Sequence, residues 1–130
     1  IPFPNKVSFI SQNWKKYPAL IQDSTLVTKI IDIEKTINGR AYYYIPKEKV
    51  LPFAGQIKTG DIILITTKKK GLDTAHVGIA IENEGQICLL HASVSDKKVS
   101  ITTETLPDYL QRITSHSGIM IGRLINFKSN

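Results

Sequence analysis

The stretch Ala75-His76-Val77-Gly78-Ile79-Ala80-Ile81-Glu82-Asn83-Glu84-Gly85-Gln86-Ile87-Cys88-Leu89-Leu90-His91-Ala92-Ser93 decides how this chain folds. Two β-prone runs, about Ala75–Ile81 and Gln86–Ser93, flank a polar break that contains glycine, the pattern of an antiparallel hairpin. A two-residue loop at Asn83-Glu84 places His76 directly opposite His91, with both imidazoles on one face of the sheet. A three-residue loop with Gly85 in a bulge puts Ala92 there instead. Strand alternation sets Ser93 on the His91 face and Cys88 on the other.

Working outward, Ile57–Asp61 reads as a turn feeding Ile62-Ile63-Leu64-Ile65, an apolar run that suits a strand buried on both faces. Asp96–Lys98 makes a turn before a short strand at Val99–Thr102, and Ile119–Phe127 reads as the last strand. Ala41–Ile45 is a further strand, closed by Pro46. A helix is predicted over Thr25–Asn38, where Leu26, Ile30, Ile33 and Ile37 form one core-facing stripe. Asp23 or Ser24 caps it, and Asn38-Gly39 ends it through a left-handed Gly. A second helix, Pro107 to about Ile113, is capped by Thr105 and presents Leu106, Tyr109, Leu110 and Ile113. Residues 1–23 are interrupted by Pro2, Pro4 and Pro18 and read as an irregular lead-in anchored by Phe9, Ile10, Trp14, Tyr17 and Leu20. Residues 24–130 then supply a helix plus antiparallel sheet core, so the 130 residues read as one domain or domain portion of α+β class.

Composition narrows the function. Cys88 is the only cysteine, which excludes an internal disulfide and a four-cysteine zinc site. The formal net charge is +6, which favours anionic partners. The basic residues are scattered, however, and no nucleic-acid motif is present, so no nucleic-acid partner is expected. Lys68-Lys69-Lys70-Gly71 reads as a solvated turn. No apolar run is long enough to cross a bilayer. The chain opens Ile1-Pro2-Phe3-Pro4 without Met or a signal peptide, so position 1 is read as following a removed leader or lying within a longer product.

The histidine pair admits three readings. It could ligate a metal with Asp73 or Asp61 as a third ligand, it could be structural with satisfied nitrogens, or it could be catalytic. No metal and no cofactor are expected. A catalytic pair needs a nucleophile, and Cys88, mid-strand among leucines, lacks the cationic neighbours or helix N-terminus that lower a thiol's pKa. It is read as a small core residue. Ser93 shares the His91 face. His116, in Thr114-Ser115-His116-Ser117-Gly118, is read as an exposed loop residue. Glu82 and Glu84 would serve a two-carboxylate glycan hydrolase, but a hairpin tip leaves them in solvent.

The elements Gly60-Asp61-Ile62-Ile63, Gly71-Leu72-Asp73-Thr74-Ala75-His76-Val77-Gly78-Ile79-Ala80 and Leu89-Leu90-His91-Ala92-Ser93 together resemble the bacterial N-acetylmuramoyl-L-alanine amidase-like family. That family belongs with the NlpC-type, papain-like cysteine peptidases and amidases of peptidoglycan. Ile33-Glu34, Tyr44-Ile45-Pro46, Leu106 to Leu110 and Gly118 to Arg123 also match family positions. The resemblance implies a papain-like antiparallel sheet with a packing helix, His76 as catalytic base and His91 as the orienting residue. Gly78 would leave the face beside His76 open, and Gly60-Asp61 is structural.

In this superfamily the nucleophilic cysteine precedes the histidine-bearing strands, and no residue before His76 here is a cysteine. The chain therefore resembles the C-terminal half of such an enzyme. The implied substrate is peptidoglycan or a muropeptide, the implied location periplasmic or secreted, and Ser93 and Asp73 are the candidate substrate-binding residues. The alternative is a non-catalytic cell-wall-binding remnant.

Overall fold

The computed structural model describes residues 1–125. They form two compact units, one of residues 1–43 with 68–73, the other of residues 44–67 with those from Thr74 onward.

In the first unit, strand β1 (Pro2–Phe3) pairs antiparallel with β2 (Tyr42–Tyr43). Between them run helix α1 (Phe9–Gln12), a 3-10 turn at Trp14–Lys16, helix α2 (Pro18–Gln22) and helix α3 (Thr25–Asn38). The prolines do prevent one long helix, but short helical turns take its place: Pro18 sits in the first turn of α2, where its missing N–H costs nothing. Asp23 marks the start of α3, its Oδ1 accepting from the Thr25 amide at 3.0 Å and hydroxyl at 2.6 Å.

The apolar stripe of α3 is covered only in part: Leu26, Ile30 and Ile37 are half-buried. Ile33 is 54% exposed, and the one buried residue of the helix is Glu34, which accepts from the Ser11 amide at 3.1 Å. Polar bonds tie the helix end down instead. Asn38 accepts from the Val7 amide at 2.7 Å and donates to the Val7 carbonyl at 2.9 Å, while Asn5 donates to the carbonyls of Ile37 and Arg40. Gly39 has φ −79°, so the helix exit needs no left-handed residue.

The second unit is a six-stranded antiparallel sheet in the order β3-β8-β4-β5-β6-β7. Its strands are β3 (Ile45–Pro46), β4 (Ile62–Thr67), β5 (Thr74–Asn83), β6 (Gln86–Ser93), β7 (Lys98–Ile101) and β8 (His116–Gly122). The run Ala41–Ile45, expected as one strand, is divided between β2 and β3 of the two units. Asn126 and Phe127 of the expected last strand lie outside the described residues. Short helix α4 (Val50–Phe53) and helix α5 (Leu106–Arg112) complete the unit. The Thr105 hydroxyl caps α5 by accepting from the Asp108 amide.

The β5–β6 hairpin turns on Glu84-Gly85, not Asn83-Glu84. Both have positive φ, 52° and 77°, the geometry of a type I′ turn. Asn83 then pairs with Gln86 and Ile79 with Leu90. Neither expected register holds: His76 and His91 are diagonal, not opposite. The slip from the first register is two residues, which preserves the face of every side chain. A one-residue slip would have separated the histidines.

Fully buried Ile63, Ile65, Ala80, Leu89 and Ile119 pack with Leu106, Leu110 and Val50 into one core on the α5 side of the sheet. The other face carries Ile62, Val77, Ile79 and Ile101, exposed at 37%, 52%, 41% and 47%. Strand β4 is thus buried on one face, not both. Asp61, 2% exposed, pins the entry to β4 by accepting two bonds from Arg123 at 2.7 and 2.6 Å and one from the Lys58 amide at 2.8 Å. The Arg123 guanidinium, with burial opposing, holds its carboxyl below the usual range.

Candidate active site

Two β-bulges shape one end of this sheet. Pairing of β4 with β5 runs from Ile65↔His76 to Thr66↔Thr74, skipping Ala75. Pairing of β4 with β8 runs from Thr66↔Gly118 to Thr67↔His116, skipping Ser117. An extra residue bends a strand and re-aims its neighbours, and here the bulges adjoin His76 and His116. The Thr66 and Ser117 hydroxyls bond across the gap at 2.8 Å.

The bulged end opens into a cleft of about 720 Å³ in the second unit, whose lining includes His76, His91, Ser93, Glu104, Tyr109, Arg112 and His116. His76 Nε2 and His91 Nδ1 are 2.7 Å apart, a hydrogen bond between rings at 88°. His91 in turn meets the Tyr109 ring edge-on at 5.5 Å, and Tyr109 lies 5.6 Å from the His116 ring. Burial first, then the charge interaction with His91, depress the His76 pKa below its ordinary 6.5. His76 is therefore neutral at pH 7 and able to accept a proton. With Nε2 committed to His91, Nδ1 is the nitrogen left to do so.

His116 is the residue the sequence reading missed. It is the first residue of β8 and only 5% exposed, not a solvated loop residue. Its Nδ1 is buried without a hydrogen-bond partner among the described residues. Burial first, then charge interactions with His76, Lys47 and Arg112 as each is protonated, lower its pKa. The signal available in sequence was weak: His116 precedes Gly118-Ile119-Met120-Ile121, an apolar run whose strand starts three residues earlier than expected.

The cleft's charged wall is already paired. Arg112 stacks over Tyr109 at 5.4 Å and binds Glu104 through Nε and Nη2, at distances down to 2.6 Å. Ser93 is buried and accepts from the Asp96 amide at 3.1 Å, so it shapes the loop that borders the cleft. Ser100 and Ser95 donate to the Asp96 carboxylate. Asp73 belongs to the first unit and is not among the residues that line this cleft. Glu82 and Glu84 are exposed. Among the described residues no group of three His, Cys, Asp or Glu side chains could hold a metal ion, and Asp61 is committed to Arg123. Cys88 is buried opposite Ile81, on the sheet face away from His91. The space at Gly78 is not open: a Cβ there would stand 2.5 Å from a Leu89 methyl, so the glycine admits Leu89 into the core beneath His76.

A family model described as N-acetylmuramoyl-L-alanine amidase-like matches residues 5–119. The chain belongs to that family. A crystal structure of an N-acetylmuramoyl-L-alanine amidase from Bacteroides uniformis is 36% identical, with a TM-score of 0.86, covering 93% of this chain and 52% of its own. A Bacteroides fragilis protein whose structure carries a xylanase label is 35% identical, with a TM-score of 0.87, covering 93% and 53%. No curated protein matches the sequence. The chain thus spans about half the length of the amidase-like structures it matches. No described helix is long and apolar enough to cross a membrane.

Proposed function

We propose that this chain supplies the base and the orienting histidine of a cysteine-dependent amidase or peptidase, built on an NlpC-type, papain-like fold, that hydrolyses amide bonds of bacterial peptidoglycan. The bond cut lies between the lactyl group and L-Ala or within the stem peptide, and the enzyme works in the periplasm or outside the cell. The observation that carries this reading is the 2.7 Å bond between His76 Nε2 and His91 Nδ1 at the mouth of a cleft. Family membership supports the substrate class.

His76 Nδ1 takes the thiol proton, the thiolate attacks the amide carbonyl, and the imidazolium returns the proton to the leaving amine. Water then releases the acyl group with His76 again as base. His91 holds the ring and its tautomer, and its Nδ1 lone pair stabilises the imidazolium that forms. Cys88, on the far face, is not the nucleophile. That thiol comes from a segment outside these 130 residues. A two-carboxylate glycosidase fits poorly, because Asp96 is bound by serines, Glu104 by Arg112, and Glu82 and Glu84 are in solvent.

The test is muropeptide digestion by the protein carrying its natural flanking sequence, with products identified by mass. His76→Ala is expected to lose about a thousandfold or more, His91→Ala about a hundredfold, and Cys88→Ser to stay within twofold. An inactive Cys88→Ser, or an unimpaired His76→Ala, overturns the assignment.

A further inference from the structure

The excess charge of the chain is concentrated. Residues 1–43 and 68–73 hold nine Lys and Arg against four Asp and Glu, so this unit carries five of the six net positive charges. Within it, two stretches distant in sequence converge on one aromatic ring. The Ser8 and Phe9 amides, which open α1, both donate to the Gly71 carbonyl at 3.0 and 2.9 Å. Gly71 has φ +82°, and a Cβ there would press on Ser8 Oγ and the Phe9 amide, so glycine is required for the approach. This joint brings Lys69 to the Phe9 ring that Lys16 also approaches.

Lys69 Nζ stands 4.4 Å and Lys16 Nζ 5.9 Å from the Phe9 ring centre, and Lys15 Nζ lies 5.7 Å from that of Trp14. All five lysines are exposed, and the two rings are half-buried. Residues 6–16 contain no acid, and Asp73 is the one carboxylate of 68–73.

We propose that this lysine–aromatic face docks the protein on an anionic phospholipid surface. Lysines present compact charges on flexible stems, which suit a fluid array of headgroups, and aromatic rings among them suit the headgroup level of a bilayer. The inference is independent of the catalytic reading.

Co-sedimentation of the 130-residue chain with vesicles tests it. Binding to vesicles with about a third phosphatidylglycerol is expected to exceed that to pure phosphatidylcholine at least tenfold, and to vanish at about 0.5 M salt. Trp14, the only tryptophan, reports the contact by a blue shift of its emission on the anionic vesicles alone. At about fivefold per lysine, Lys16→Gln/Lys69→Gln weakens binding at least tenfold, whereas Lys97→Gln/Lys98→Gln in the other unit changes it less than twofold. Equal binding to both vesicle types, or full binding by the Lys16/Lys69 variant, overturns the proposal. So does displacement from the vesicles by soluble polyglutamate at matched charge, which would assign the face to an anionic polymer instead.

Discussion

The two units solve the problem of stability differently. The sheet unit buries fully apolar side chains from β4, β5, β6, β8 and α5 in one core, and carries a net charge of only +1. The helical unit leaves the apolar stripe of α3 half-buried with Ile33 exposed, relies on Asn5, Glu34 and Asn38 bonding to backbone, and carries most of the charge. A hydrogen-bonded imidazole pair needs a rigid platform, because its geometry tolerates little displacement. It is found on the unit whose core is apolar and closed. The charged unit, held by polar bonds, suits contacts that tolerate movement.

Leu110→Ala should break the contrast most forcefully. Leu110 is fully buried against the sheet, and its truncation is expected to destabilise the protein by about 3 kcal/mol and lower Tm accordingly, measured by denaturant unfolding. A smaller effect concerns acid. His76 and His116 have pKa values lowered from 6.5 mainly by burial, so the unfolded chain binds protons that the folded chain refuses. Their contribution is intact above pH 6.5 and is lost as pH falls below it toward the depressed values. Unfolding followed between pH 7.5 and 5 should show stability declining with acidification, and His116→Asn should flatten that decline. The smallest effect is expected on α3: Ile33→Ala, at a site 54% exposed, should cost no more than about 0.5 kcal/mol. A loss as large as that of Leu110→Ala would show that the helical unit has an apolar core after all.

Local chemistry was legible in the sequence where one residue type dictates the outcome. The Asp23 start of α3, the Thr105 cap of α5 and the placement of Cys88 on the face away from His91 all followed from strong local signals. So did the pairing of His76 with His91, although the register was wrong; the diagonal contact survived because the slip was even. What was not legible depended on partners far away in the chain. Periodicity shows that α3 is amphipathic but not whether anything covers its stripe, and a continuous apolar run cannot show which side of β4 is open. His116 was misread because the bulge at Ser117, opposite Thr66 and Thr67, is a property of β4–β8 pairing that no local pattern records. Gly78 was read as an opening beside His76, yet Leu89 fills it from the neighbouring strand.

The central claim is that His76 is a neutral base with its lone pair on Nδ1, held by His91. Two-bond ¹⁵N–¹H correlation of the histidine rings of this chain, followed across pH, tests it directly. The account predicts that at pH 7 His76 is protonated on Nε2 and bare on Nδ1, that its Nε2 proton is shared with His91 Nδ1, and that it titrates below 6.5. A His76 protonated on Nδ1, or one that titrates above 6.5 and is charged at pH 7, would contradict it.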